Sequence, residues 1–466
     1  MFAMFADMPG TKTADFLELF TQCPWSAWLS HQRWFVRREE TAVARLESAV
    51  PIGSGVVCLV ASGPDLYFVP LAPTTKDGVD IVCEHDGIRW GDGLEDEQCV
   101  RELLYLCLEM TPGGAFSSRV VDRSALQASL PGAVQTGSPD QTNSWCVCGD
   151  SFLKVFRRLE TEPNLDVEVL AVLAHRQDLS IPHLRGVLSV THGRGTSIAM
   201  AVQKALVHQG NAWERACAEV SRAATGGGAD LAGWTLLGSR TAELHLAMAS
   251  ELGGRPAEPK ESSAAAQGGC ELARAVLADL SRSPRNVWTK YVSDLADRVL
   301  AESGSLIDSL QGSLPEGSFV QRVHGDFHLG QILRTAEDWV ILDFEGEPAR
   351  TPAERRLFAP AAKDVSGMLR SFDYASRAGL PEGAGDLGRD RADAWKHQVR
   401  KAFLAGYFAT NGIGAVWPAD PHSRQELLNR YEAEKAFYEL RYELAHRPDW
   451  LAIPLGGLIA LAASAT

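Results

Sequence analysis

The chain has 466 residues, 45% of them hydrophobic and 22% charged, with 45 basic against 59 acidic residues and a formal charge of −14. That is an ordinary globular composition, long enough for two or three domains. The acidic balance excludes a general nucleic-acid binder, while leaving room for a local basic site that takes phosphates.

The opening run MFAMFADMPGTKTADF has neither a basic start nor a long apolar core, so it does not read as a signal peptide. Residues 1–135 carry the β-rich runs VVCLVA (56–61) and LYFVPLA (66–72) and a helical stretch near 95–110. Pro131 and GAVQTGSPDQ (132–141) read as a linker or turn. In the second region, 136–203, WCVCGDSFLKVFRRL (145–159) reads as a β-hairpin with Gly149-Asp150 at its turn. A helix follows near Asp166, then strands at GVLSV (186–190) and SIAMAV (197–202). The third region, 204–466, is mainly helical, with a helix at 232–252 and two long C-terminal helices. The segment GGRPAEPKESSAAAQGG (253–269) reads as a mobile loop. The apolar tail 451–463 contains Pro454 and two glycines and is too short to span a bilayer. The nine cysteines are irregularly spaced. Cys146 and Cys148 have no second pair nearby to complete a zinc site, so all nine are expected to be reduced core residues. These features predict a cytoplasmic protein, monomer or homodimer, with no membrane or nucleic-acid partner.

The most informative stretch is RVHGDFHLGQILRTAEDWVILDFEGEP (322–348). His324-Gly325-Asp326 ends a short apolar run, Gln331 follows five residues later, and VILDFE (340–345) reads as a strand that delivers Asp343 and Glu345 at its end. One His-Gly-Asp turn arises easily by chance; the ordered set does not. Phosphoryl transfer needs a metal to neutralise phosphate charge, a protein cation, and a group that orients the attacking hydroxyl. Asp326 fits the last role as catalytic base. Asp343 and Gln331 fit an oxygen-seeking cation such as Mg2+, used with ATP as phosphate donor. Lys154, in the apolar run FLKVFRR, fits a phosphate-binding lysine held by Glu168 of the next helix, while Asp166 is expected to cap that helix.

VHGDFHLGQILRTAEDWVILDFEGEP, with ERR and KDVSGMLRSFDYA (363–375), resembles the actinobacterial maltokinase-like sugar kinases, relatives of aminoglycoside phosphotransferases and choline kinases. WSAWLSHQRWF (25–35) and YEAEKAFYELRYELAHRPDWLAIPL (431–455) resemble that family's opening and closing segments. The resemblance implies an α+β, bilobal, eukaryotic-protein-kinase-like fold: an N-terminal β-rich cap domain (1–135), a small ATP-binding lobe (136–203) and a helical lobe with the catalytic loop and sugar site (204–466). It implies a magnesium-dependent ATP:sugar phosphotransferase with Glu345 near the metal. It places the adenine hinge at 197–206, with Val202, Gln203 and Ala205 in contact with nucleotide. QTNSW would be a phosphate-covering turn, using Gln141, Asn143 and Ser144. The acceptor would lie along the C-terminal helix, against Arg322, Asp326, His328, Tyr431, Glu432, Glu434, Lys435 and Glu439.

On that helix Glu432, Glu439 and Glu443 return to one angle, beside a stripe of Tyr431, Tyr438 and Tyr442. Maltokinases usually have aspartate where this chain has Glu434, and VQKALVHQGNAW (202–213) lacks their acid-rich run. These departures favour D-glucosamine as acceptor, yielding D-glucosamine 6-phosphate, over maltose and maltose 1-phosphate. An aminoglycoside- or choline-type kinase shares the same core and is the third reading.

Overall fold

The computed structural model describes residues 13–35, 43–76, 78–109, 114–137, 143–160, 163–348 and 350–464. The chain divides into two compact units, residues 1–177 with 182–207, and 178–181 with 208–466.

The first unit is built on two antiparallel sheets. Helices α1 (Thr13–Thr21) and α2 (Trp25–His31) precede strands β1 (Ala44–Ile52), β2 (Gly55–Ser62), β3 (Asp65–Pro73), β4 (Ile81–His85) and β5 (Ile88–Asp92), which pair in the order β1-β2-β3-β5-β4. The helices cover one face of this sheet through Phe20, Trp25, Trp28 and Trp34. Cys23 and Cys83 tie the two together as a disulfide with Cα atoms 5.4 Å apart, which corrects the expectation that every cysteine is reduced. The other face meets α3 (Glu97–Leu108) in a core of Val57, Leu59, Leu103 and Leu104.

The second sheet draws β6 (Phe116–Val120) and β7 (Val134–Thr136) from before residue 136, with α4 (Arg123–Ser129) between them. It continues with β8 (Ser144–Cys148) and β9 (Ser151–Val155). A two-residue β10 (Arg158–Leu159) crosses to pair with β3. Helix α5 (Leu165–Leu173) and strands β11 (Leu184–His192) and β12 (Gly195–Lys204) complete the unit, in the sheet order β6-β11-β12-β9-β8-β7. The hairpin expected at 145–159 is present, and Gly149 takes φ +58 at its turn, where a side chain would be strained.

The second unit is helical, with one short hairpin and one pair of short strands drawn from distant parts of the chain. Its elements are α6 (Ala212–Ala224), α7 (Leu231–Glu251), β13 (Gly254–Pro256), α8 (Pro259–Arg282), α9 (Lys290–Ala301), α10 (Ser303–Gln311), β14 (Phe319–Gln321), β15 (Ile332–Arg334), β16 (Trp339–Ile341), α11 (Pro352–Arg355), α12 (Ala362–Ala378), α13 (Gly385–Ala409), α14 (Pro421–His446) and α15 (Ala452–Ser464). Strands β13 and β14 pair with each other, as do β15 and β16. The expected loop at 253–269 is instead β13 followed by the first half of α8. Pro259 sits at the start of α8, and the Glu261 carboxylate accepts the Glu258 amide at 2.9 Å. Cys270, Ala273, Val276, Leu277 and Leu280 then bury one face of α8 against α10 and α14. Among the described residues, no helix is long and apolar enough to cross a membrane.

Candidate active site

In the first unit, alternation along β9 sends Leu153 and Val155 into the apolar core and Lys154 to the opposite face. Lys154 Nζ lies 2.9 Å from Asp166 Oδ2, both largely shielded from solvent. Asp166 therefore does not cap α5: the cap is Asn164, whose side chain accepts the Val167 amide at 3.0 Å. Glu168, expected to hold Lys154, sits two residues further along in the same helix. Ser144 belongs to β8, and its buried hydroxyl accepts from Arg157 Nε at 2.8 Å. Gln141 lies outside the described residues. Val202 and Gln203 lie at the C-terminal end of β12, paired on both sides, and the Ala205 amide donates to the Asp150 carbonyl at 2.9 Å.

In the second unit, β14 leads into His324-Gly325-Asp326. Gly325 takes φ +85, which lets the loop turn sharply and present Asp326. The turn is held from below by Asp364 of α12. One Asp364 oxygen accepts the His324 amide at 2.7 Å, and the other accepts the Gly325 amide at 2.9 Å. His245 Nε2 of α7 reaches the first of these oxygens at 3.1 Å. Asp364 is fully buried; burial alone would raise its pKa, but the hydrogen bonds from His245 and the Gly325 amide hold it below the usual range. It stays ionised as a fixed anchor. Neither Asp364 nor His245 stood out in the sequence, although the quoted run KDVSGMLRSFDYA contains the former.

The metal-side residues meet across the next hairpin. Gln331 Nε2 donates to Asp343 Oδ2 at 3.1 Å, and the Leu342 amide donates to the Gln331 carbonyl at 2.9 Å. The strand expected to run through 345 ends at Ile341. Asp343 lies beyond it at φ +65, a left-handed conformation that aspartate tolerates better than most residues. Turning the Gln331 amide about its last torsion would set two oxygens side by side, an arrangement that repels unless a cation lies between them. The donor set therefore fits a hard divalent ion. His328 stands beside Asp326: its Nδ1 accepts the Gly330 amide at 3.0 Å, and its Nε2 is 3.8 Å from Asp326 Oδ2. Burial pushes the His328 pKa below the usual histidine range, against the opposing pull of Asp326. A neutral ring accepting at Nδ1 carries its proton on Nε2, facing Asp326.

Helix α14 sorts the expected acceptor residues into two groups. Glu432 accepts from Arg400 at 2.7 Å, and Glu439 accepts from Arg370 at 2.9 and 2.7 Å. Glu443 accepts from Tyr374 at 2.9 Å. The acidic stripe is thus a set of buried ion pairs inside the unit, and Tyr431 is buried with it. Glu434 and Lys435 belong instead to a polar cluster with Glu347, Arg350 and Tyr438. Lys435 lies over the Tyr438 ring at 4.8 Å, Arg350 is 3.8 Å from Glu434, and the Arg350 Nε donates to Glu347 at 2.7 Å. Burial raises the Tyr438 pKa, and the charges of Glu347 and Asp326 add to it, so this face looks toward Asp326. Glu347 and Tyr438 were not singled out in the sequence. Arg322 is buried beside the loop.

No protein-family profile matches the chain. It is 28% identical over 438 residues to a glucosamine kinase of Streptacidiphilus jiangxiensis, across 90% of this chain and 92% of that protein. It is 26% identical over 346 residues to a glucosamine kinase of Mycolicibacterium smegmatis (strain ATCC 700084 / mc(2)155), across 69% and 78%. A solved glucosamine kinase, crystal form A, superposes with a TM-score of 0.70 at 24% identity, over 97% of this chain and 99% of that one. A glucosamine kinase in complex with glucosamine, ADP and inorganic phosphate gives 0.68 at 23%, over 94% and 99%. The fold is that of the glucosamine kinases. It is the α+β, protein-kinase-like fold that the sequence resemblance implied, and the relatives lie on the glucosamine side of that resemblance.

Proposed function

We propose that this protein is an ATP-dependent sugar kinase that transfers the γ-phosphoryl group of ATP to the 6-hydroxyl of D-glucosamine. The observation that carries this reading is the grouping of Asp326, His328 and the Gln331–Asp343 pair, in a chain that runs alongside glucosamine kinases over nine-tenths of its length. Asp326 orients the acceptor hydroxyl and takes its proton as the new oxygen–phosphorus bond forms and the bond to ADP breaks. His328, neutral and donating from Nε2, steadies the Asp326 carboxylate or the incoming oxygen. Lys154, fixed by Asp166, is assigned to the nucleotide phosphates, with Glu168 nearby in α5 and Asn143, Ser144, Val202, Gln203 and Ala205 on the nucleotide side. Gln331 and Asp343, with Glu345 close in sequence, would hold Mg2+, which supplies charge neutralisation at the phosphates when bound. Glu434, Lys435, Glu347 and Tyr438 are assigned to the acceptor, where carboxylates suit the ammonium of an amino sugar. Glu432 and Glu439 support that helix from beneath.

A coupled ADP-release assay with Mg-ATP should show turnover on glucosamine and little on maltose, kanamycin or choline. Preference for any of the other three would remove glucosamine as the substrate. Asp326→Asn should lower kcat by about 10²- to 10⁴-fold with ATP affinity retained; near-normal turnover would dismiss Asp326 as the base.

A further inference from the structure

The anchor beneath the catalytic loop continues into the interior. His245 Nδ1 is 2.7 Å from the Tyr407 hydroxyl, which lies 3.0 Å from Trp417 Nε1. His245, Tyr407 and Trp417 are all buried and come from α7, α13 and the segment after α13. An indole nitrogen can only donate, so the Tyr407 oxygen accepts there and spends its single proton on His245 Nδ1. That leaves His245 with its proton on Nε2, directed at Asp364. The His245 carbonyl also accepts from Gln321 Nε2 at 2.9 Å, at the last residue before the catalytic loop. The donors Trp417, Tyr407 and His245 point the same way, toward the carboxylate that holds the His324 and Gly325 amides.

We propose that His245 is a positioning residue for phosphoryl transfer: locked by Tyr407 and Trp417 as the Nε2–H tautomer, it fixes the Asp364 carboxylate and, through the two loop amides, the direction in which Asp326 faces the acceptor. This rests on Asp326 being the base. Its cost of failure is orientation rather than binding, since displacement of a reacting group by about 1 Å can lower a rate by about 10²-fold. Substrate affinities, set by residues that His245 does not touch, should stay put.

The test uses the pair His245→Gln and His245→Asn in the full-length chain. Glutamine places an amide N–H near the position of Nε2 and can still donate to Asp364. Asparagine places its amide near Nδ1 and cannot reach. With rates normalised to folded protein by circular dichroism, the Gln variant should keep kcat within about 10-fold of the parent, and the Asn variant should fall by about 10²-fold at unchanged KM for ATP and glucosamine. Equal kcat in the two variants, or a loss expressed in KM alone, would overturn the inference. Tyr407→Phe, which frees the tautomer while keeping the ring, should fall between them, and parental kcat in that variant would also count against it. Asp326→Asn assayed in parallel separates the two readings: if it is inactive while Gln and Asn are alike, only the His245 inference fails.

Discussion

At the scale of single residues, two neighbours in α5 depart from the roles expected of them. Sequence reading gave Lys154 to Glu168 and the helix cap to Asp166; the Asp166 carboxylate lies 2.9 Å from Lys154 Nζ, and Asn164 caps the helix. The left-handed turn at Asp343 was likewise invisible, because WVILDFE has the apolar run of a strand to its end. What was legible was local chemistry: Gln331 and Asp343, picked out by their spacing, are hydrogen-bonded at 3.1 Å. His328 offers a pH test. Its folded pKa is depressed, so the unfolded chain binds the proton more readily, and stability attributable to the neutral ring is complete above about pH 6.5 and lost as pH falls toward the folded value. His328→Asn, which still offers an acceptor to the Gly330 amide, should flatten the acid limb of a plot of unfolding free energy against pH. Parallel limbs in the two proteins would show that His328 protonates as freely folded as unfolded.

At the scale of elements, two readings failed for related reasons. Residues 253–269 are rich in Gly, Ala and Ser, which resembles a linker, yet the helix was signalled by Pro259 followed by Glu261 and by the apolar spacing from Cys270 onward. On α14 the acidic stripe was found correctly as one face, but periodicity cannot say what a face meets. It meets Arg370 and Arg400, so its carboxylates are spent on holding α14 to α12 and α13. Removing one partner of a buried pair leaves the other uncompensated. Glu439→Ala should therefore lower the free energy of unfolding in urea by about 3–5 kcal/mol. A change no larger than that of an exposed ion pair, about 1 kcal/mol or less, would mean that Asp373, which accepts from Arg370 at 2.7 Å, compensates the guanidinium by itself.

At the scale of the whole molecule, the alternation of strands and helices was readable, because hairpin turns and apolar runs are local signals. The pairing of distant strands was not. Phe116–Val120 adds to the sheet beside β11, nearly seventy residues later in the chain. Nothing in residues 116–120 alone specifies that partner, and the same holds for Cys23 with Cys83, 60 residues apart. A chain beginning at residue 131 would lack β6, α3 and every strand of the first sheet except the fragment β10. It should elute as aggregate in size-exclusion chromatography, and a monomeric, fully active product would show that the second sheet stands without them.

The sharing of strands also dictates how the front of the molecule tolerates shortening. A separable module would lose its contribution in one step at its border and leave the remainder intact. Here the border runs through a hydrogen-bonded ladder, so a series of successive N-terminal cuts should end in collapse well before it reaches the lysine strand, with no intermediate length that is both smaller and sound.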